Sequence, residues 1–146
     1  MIKLYGFPQT RSSRVAWALE EAGAEYEYEL VNLRAGEHKQ PGFLAINPFG
    51  KIPTLLDDGH AISESAAICT YIAEKFSAAK LIPIDIKARS EYFQWLFFVV
   101  SELEVHLWTA NISLATNLAQ RILFAYQSYI GRITSKSIST KPYSIT

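Results

Sequence analysis

Apolar positions open the chain as a short run from Ile2 to Tyr5, closed by Gly6 and Pro8, which predicts a buried strand. Val15, Leu19 and Ala22 then recur at i, i+4 and i+7 until Gly23, which predicts a helix capped by Ser12 or Ser13. From Tyr26 the period changes to two: Tyr26-Glu27-Tyr28-Glu29 alternates ring and carboxylate before Leu30 and Val31, as a strand does. Such a strand-helix-strand unit closes right-handed with its strands parallel. A Pro/Gly-rich loop, PGFLAINPFGKIP at 41–53, follows. Asp57-Asp58-Gly59 then separates two short apolar runs, the signature of an antiparallel hairpin. Ser63 is read as the N-cap of a helix that carries Ile68, Ile72 and Phe76 on one face.

The predicted order is therefore βαβ-ββα, an α/β unit over residues 1–78, with a linker at 79–86 around Pro83 and a helical region over 87–146. In that region Tyr92, Leu96, Val99, Leu103 and Leu107 predict a long helix from about Lys87 to Ala110, and a second helix is read over about 114–130.

The chain has 146 residues, 49% of them hydrophobic, which excludes collagen-like, mucin-like and wholly disordered classes. Fourteen basic residues balance fourteen acidic ones, leaving no bulk field to draw phosphate backbones, so no nucleic-acid partner is expected. No apolar stretch is long enough to span a bilayer, and charge and proline interrupt the first residues where a signal peptide needs an apolar core. The expectation is a cytoplasmic protein with no membrane partner. The single cysteine, Cys69, makes no internal disulfide, CxxC pair or zinc cluster, so no metal is expected. Charge is unevenly spread: residues 105–146 hold four basic residues and no acid, and the terminal ITSKSISTKPYSIT has no apolar periodicity and is expected to fray.

Five segments, in this order and at these intervals, resemble the glutathione transferase family, and its phi-like and bacterial soluble members in particular. They are LYGFPQTRSSRVAWALEE at 4–21, GEHK at 36–39, NPFGKIPTL at 47–55, SESAAI at 63–68 and ARSEYFQWLFFVVSELE at 88–104. The resemblance implies a thioredoxin-like N-terminal domain that binds glutathione, followed by an all-α C-terminal region that shapes the pocket for a second substrate, and commonly a homodimer. The helical region is shorter than the family implies, and the likeness fades after Trp108. A truncated or frame-shifted product, or a fragment with a foreign tail, is the expectation, with a natural short variant as the alternative.

The residues of these segments carry their own chemistry. Pro53, opening a strand after a glycine-containing loop, is a candidate cis proline, since only X-Pro bonds make that isomer cheap. The N–H and C=O of Ile52 would then face outward and pair with the cysteinyl backbone of a tripeptide, in the manner of an added strand. Ser65, at a helix start, offers a hydroxyl and an N–H to the γ-glutamyl carboxylate, and Glu64 faces the ammonium. The plain alternative is a helix cap beside an exposed acid. His38, Lys39 and Lys51 supply positive charge where the resemblance places the glycyl carboxylate, and each also fits a solvated loop residue.

A transferase of this kind needs a thiolate, and a hydroxyl held near the sulfur favours S⁻ without acting as a base. Within the turn Pro8-Gln9-Thr10-Arg11-Ser12-Ser13-Arg14, alignment of Pro8 and Arg14 with the family puts Thr10 at the activating position, and Ser12, two residues on and within reach, is the second candidate; both also fit a capping role. The absence of cysteine there argues against exchange through a mixed disulfide with the protein. Tyr5 belongs to the first strand, Cys69 reads as a buried small hydrophobe, and His60 and His106 read as structural or exposed. The aromatic residues Tyr92, Phe93, Trp95, Phe97, Phe98 and Trp108 read first as packing. Three functions remain in play: conjugation of glutathione to a small hydrophobic electrophile, or its use against a peroxide; a glutathione-binding module with little turnover; and an interaction protein that keeps the fold without the chemistry.

Overall fold

The computed structural model describes residues 1–107. The chain divides into two compact units, with the break between Ile82 and Pro83. In the first, β1 (Ile2–Gly6), α1 (Ser12–Glu21) and β2 (Tyr26–Leu30) form the expected strand-helix-strand unit, with β1 and β2 parallel. The segment 41–53 is not all loop: after a 3₁₀ turn at Glu37–Lys39 the chain makes a four-residue helix, α2 (Pro41–Leu44), with Pro41 at its first turn. Proline fits there because the N–H it lacks has no partner inside a helix.

β3 (Thr54–Asp57) and β4 (His60–Ser63) form the antiparallel hairpin. Its turn residues Asp58 and Gly59 both have positive φ, 47° and 88°, the backbone that a two-residue hairpin of this twist demands. α3 (Ser65–Lys75) follows. The sheet order is β2-β1-β3-β4, mixed in direction, and the whole is a thioredoxin-like α/β domain.

Alternate positions of β1 supply the core: Ile2 and Leu4 are buried with Val15 and Leu19 of α1, Leu55 of β3, and Ile68 and Ile72 of α3. α1 and α3 thus cover one face of the sheet. On the other face the ring of Tyr5 meets that of Phe43 from α2 edge to face, 5.9 Å between centroids. On the edge strand β2, Glu27 and Glu29 bracket Lys3 of β1 at 2.7 and 3.5 Å. Charge along an exposed edge discourages pairing with a foreign strand.

Two cap assignments need correction. Ser63 ends β4, and the N-cap of α3 is Glu64, at φ 70° and ψ 113°. Strand pairing of Ser63 with Thr54 claims the residue that a cap needs. For α1, Ser12 is already the first helical residue and Arg11 the N-cap; the side-chain oxygen that accepts from the helix start is Thr10 Oγ1, 3.2 Å from Ser12 N.

In the second unit, α4 (Ile86–Phe98) starts at Asp85, whose carboxylate accepts from the N–H groups of Lys87 and Ala88. The helix read as continuous from Lys87 instead widens into a π-helical turn at Val99–Leu103 before resuming. Trp108, the helix read over 114–130 and the terminal Ser/Thr-rich stretch lie outside the described residues.

Candidate functional site

The sheet brings four chain segments to one end. β1 and β2 run parallel and so exit together; β3 is antiparallel to β1 and starts where β1 ends; β4 finishes where β3 starts. Tyr5, Thr54 and Ser63 stand side by side in register. Leaving that end are the turn with Thr10, the segment with His38 and Lys39, the approach to β3 through Lys51, Ile52 and Pro53, and the step from β4 to α3 at Glu64 and Ser65. Residues spread over more than fifty positions of sequence thereby share one rim.

The β1-α1 turn places a hydroxyl there. Gln9 takes a left-handed backbone, φ 60°, a conformation that L-residues seldom hold outside functional turns. Thr10 follows, half-buried. Its Oγ1 donates to the carbonyl of Phe7 at 2.6 Å and lies 2.9 Å from Ser12 Oγ. The Thr10 carbonyl accepts from Ser13 Oγ at 2.9 Å and from Ser13 N at 3.2 Å, so the residue is held at both ends. Ser12 is fully buried. A Cβ on Gly6 would lie 2.5 Å from the Tyr28 hydroxyl and 2.7 Å from Ser12 Cβ, so glycine is what lets α1 start this close to β1.

At the β4-α3 step, Glu64 is exposed with the left-handed φ already noted, and Ser65 is buried. The Glu64 side chain makes no cap hydrogen bond to the first turn of α3, whose leading N–H groups lie at the rim with the positive end of the helix dipole. Ser65 Oγ accepts from Arg14 Nη1 at 3.5 Å, which ties the start of α3 to α1.

The approach to β3 is organised by a buried asparagine. Asn47 Nδ2 donates to the Lys51 carbonyl at 2.8 Å and to Thr54 Oγ1 at 3.0 Å, while its Oδ1 accepts from Phe49 N. The Ile52–Pro53 peptide bond is cis. Ile52 precedes the sheet register, which begins at Thr54, so the ladder does not use its peptide groups. Gly50, at φ 59°, sits where a Cβ would lie 2.7 Å from the His38 carbonyl oxygen and 2.9 Å from Lys39 Nζ. This close approach joins the Phe49–Lys51 turn to the His38–Lys39 turn. Lys39 Nζ also reaches the Phe49 carbonyl at 3.5 Å, and Lys51 is exposed beside it. His38 Nδ1 is buried with no hydrogen-bond partner among the described residues, a polar group that a bound acceptor or donor would satisfy.

Asn47, Gly50, Arg14 and Gly6 stand inside the segments that carry the family resemblance, but their roles are not legible there, because what they do depends on approaches between segments far apart in the chain. The Asn-Pro pair at 47–48 is the one local sign, a turn initiator. Cys69 stays outside the rim: burial pushes its thiol up to about 11, and Sγ lies 3.8 Å from the Arg14 carbonyl oxygen. Burial thus disfavours the thiolate that a nucleophile needs.

Chemically, the rim offers N–H donors and a serine at a helix start, a carboxylate beside them, an unclaimed peptide edge, two or three cationic groups, and a hydroxyl between. That set could receive an extended ligand with charged groups at its ends.

Known proteins resemble this chain in sequence and fold. Residues 1–74 match the family "Glutathione S-transferase, N-terminal domain". Among curated proteins, glutathione S-transferase 3 of Zea mays is 42% identical over 115 residues, which is 77% of this chain and 49% of that one. Among solved structures, glutathione transferase F7 of Populus trichocarpa superposes with TM-score 0.68 at 39% identity, covering 73% of this chain and 52% of its own. A glutathione transferase homologue from Sulfitobacter, solved with bound glutathione, gives TM-score 0.69 at 26% identity over 97% of this chain and 70% of that one. The chain spans about half the length of the curated relatives it matches.

Proposed function

The chain belongs to the glutathione S-transferase family, with phi-class-like homologues, and from that membership we propose that its rim binds glutathione and activates the thiol for attack on a small hydrophobic electrophile. The observation that carries this reading is the meeting, at one sheet end, of the start of α3 at Ser65, the Ile52 edge outside the strand ladder and His38 Nδ1, which has no hydrogen-bond partner among the described residues.

In this reading Ser65 and the first N–H groups of α3 hold the γ-glutamyl carboxylate, where the helix dipole favours negative charge. Glu64 faces the ammonium. Ile52 pairs with the cysteinyl backbone through its N–H and C=O, beside Pro53. His38, Lys39 and Lys51 hold the glycyl carboxylate. The sulfur lies beside Thr10, whose hydroxyl donates to S⁻ and so favours the ionised form; the thiol proton leaves to water. The sulfur lone pair then forms the C–S bond as the leaving group departs from the electrophilic carbon with its electron pair, so no outside oxidant or reductant is consumed.

All the assigned groups fall between residues 10 and 65, so binding is separable from turnover, and a module that holds glutathione without conjugating it is the second reading. A second copy of the chain is the proposed protein partner, with Phe49, 75% exposed on the Asn47 loop, as apolar surface open to it.

Calorimetry with millimolar reduced glutathione tests the binding claim. The native chain releases or absorbs heat with a saturable isotherm, and Ser65→Ala weakens it by more than tenfold, since a hydrogen bond to a charged group contributes about 1.5–3 kcal/mol. No heat with the native, folded chain overturns the reading. Turnover of a generic aryl halide then separates transferase from binding module.

A further inference from the structure

We infer that Ser12 is a positioning residue that makes Thr10 selective for a thiolate over a thiol, an assignment that rests on the proposed binding of glutathione.

The inference comes from counting protons around Thr10 Oγ1. A hydroxyl has one proton and two acceptor lone pairs. The Phe7 carbonyl, 2.6 Å away, only accepts, so it takes the Thr10 proton in the ligand-free chain. Two contacts remain, Ser12 Oγ at 2.9 Å and the Ser12 backbone N–H at 3.2 Å. With the Thr10 proton committed, both are donations into Thr10: the Ser12 hydroxyl fills one lone pair and the Ser12 N–H the other. Thr10 is thereby saturated as an acceptor by a single neighbour.

The consequence appears when a sulfur arrives. Thr10 can swing its one proton from the Phe7 carbonyl to the sulfur, but it has no lone pair left to accept from S–H. A thiolate, a strong acceptor, finds a good partner in the Thr10 proton; a thiol accepts only weakly and finds no lone pair on Thr10 to take its own proton. Hydrogen bonding that favours the charged form over the neutral one lowers the ionisation point of an acid.

Ser12 is fixed in this role by packing. It is fully buried, so no water takes its place, and its Cβ and Oγ lie 2.7 and 2.9 Å from where a Gly6 side chain would begin. Among the described residues the hydrogen-bond partner of its hydroxyl is Thr10.

The test follows ultraviolet thiolate absorbance of bound reduced glutathione across pH, alongside binding of S-methylglutathione, which has no thiol proton. Ser12→Ala frees one Thr10 lone pair and is expected to leave about tenfold less thiolate at a given pH on the rising limb, with S-methylglutathione affinity unchanged. Ser12→Gly, which removes the same hydroxyl without leaving a methyl beside Gly6, gives the same loss. In a Thr10→Ala background, Ser12→Ala causes no additional change, because Ser12 acts only through Thr10. Native ionisation in both Ser12 variants overturns the assignment, and so does a Ser12 effect that persists without the Thr10 hydroxyl. Failure of the native chain to bind S-methylglutathione is a different result: it overturns the glutathione reading itself, and this assignment with it.

Discussion

Gly50→Ala probes how the rim is built, because this glycine answers two separate demands. Its φ of 59° is left-handed, which costs an L-residue about 1–2 kcal/mol, less about 0.4–1 kcal/mol returned by a stiffer unfolded chain. The second demand is space. The new Cβ would lie 2.7 Å from the His38 carbonyl oxygen, a backbone atom that no rotamer change removes. Overpacking of this kind costs about 1–3 kcal/mol, so the total is about 1–5 kcal/mol. Gly59→Ala is the internal control: its φ is 88°, yet nothing lies within 4 Å of the new Cβ, so it meets only the backbone cost of about 1 kcal/mol. Thermal unfolding reads the difference at roughly 4 °C per kcal/mol for a chain of this size. Binding reads it too. The cheapest relief is to part the Phe49–Lys51 turn from the His38–Lys39 turn, and loss of one charged contact to the glycyl carboxylate is about tenfold in affinity. Gly59→Ala, at the opposite sheet end, leaves affinity unchanged. Equal effects of the two substitutions on both stability and affinity would refute the claim that Gly50 ties the two turns together.

Two further predictions concern the rest of the fold. Asp57 is buried where Lys75 Nζ and the Tyr71 hydroxyl both donate to its Oδ2, and these hydrogen bonds hold its carboxyl below the usual aspartate range. The native value being depressed, the stabilisation is fully present above the unfolded value of about 3.9 and is lost as pH falls through the native one. The melting temperature of the native chain should therefore fall below about pH 4, while Asp57→Asn starts lower and lacks this component. A native profile that parallels that of Asp57→Asn there would contradict it. Cys69, with its thiol pushed up to about 11 by burial, should react with iodoacetamide at pH 8 far more slowly than free cysteine, and Cys69→Ala should leave glutathione affinity intact; rapid labelling of the folded chain would show the thiol is not buried.

Where periodicity is local, the sequence is a good guide to this fold. The two-residue alternation of Tyr26–Glu29, the Asp58-Gly59 turn and the i, i+4 spacing of Ile68 and Ile72 each have one cheap backbone solution, and the structure adopts it. Element edges were harder to read because neighbours compete for the same residue. Ser63 suits a cap by composition but is held by its strand pairing to Thr54, and the cap passes to Glu64 in a conformation that no propensity favours. In α1, Ser12 and Ser13 both look like caps, yet the helix start is pulled against Gly6, which buries Ser12 and leaves the oxygen of Thr10 to accept from it. The π-helical turn at Val99–Leu103 has no sequence sign, since the apolar spacing through it still fits a regular helix.

The candidate site divides in the same way. Thr10, His38, Lys39, Lys51, Ile52, Pro53, Glu64 and Ser65 stand in recognisable motifs, so they can be nominated from sequence. The residues that assemble them stand in the same segments, but what they do there cannot be read from the sequence. Gly50, Asn47 and Arg14 act across separations set by the sheet register, and their partners, the His38 carbonyl, Thr54 and Ser65, are defined only once the chain has folded.

The central claim is that one sheet end, and no other surface, grips the γ-linked tripeptide. Amide chemical shifts of the isotopically labelled chain, titrated with reduced glutathione, test it most directly. The account predicts saturable shifts at Thr10, Ile52, Ser65 and Ala66 and at the His38–Lys39 turn, with Asp57, Gly59 and Lys75 at the opposite end unmoved. Shifts confined to that opposite end, or none at saturating ligand, would contradict it.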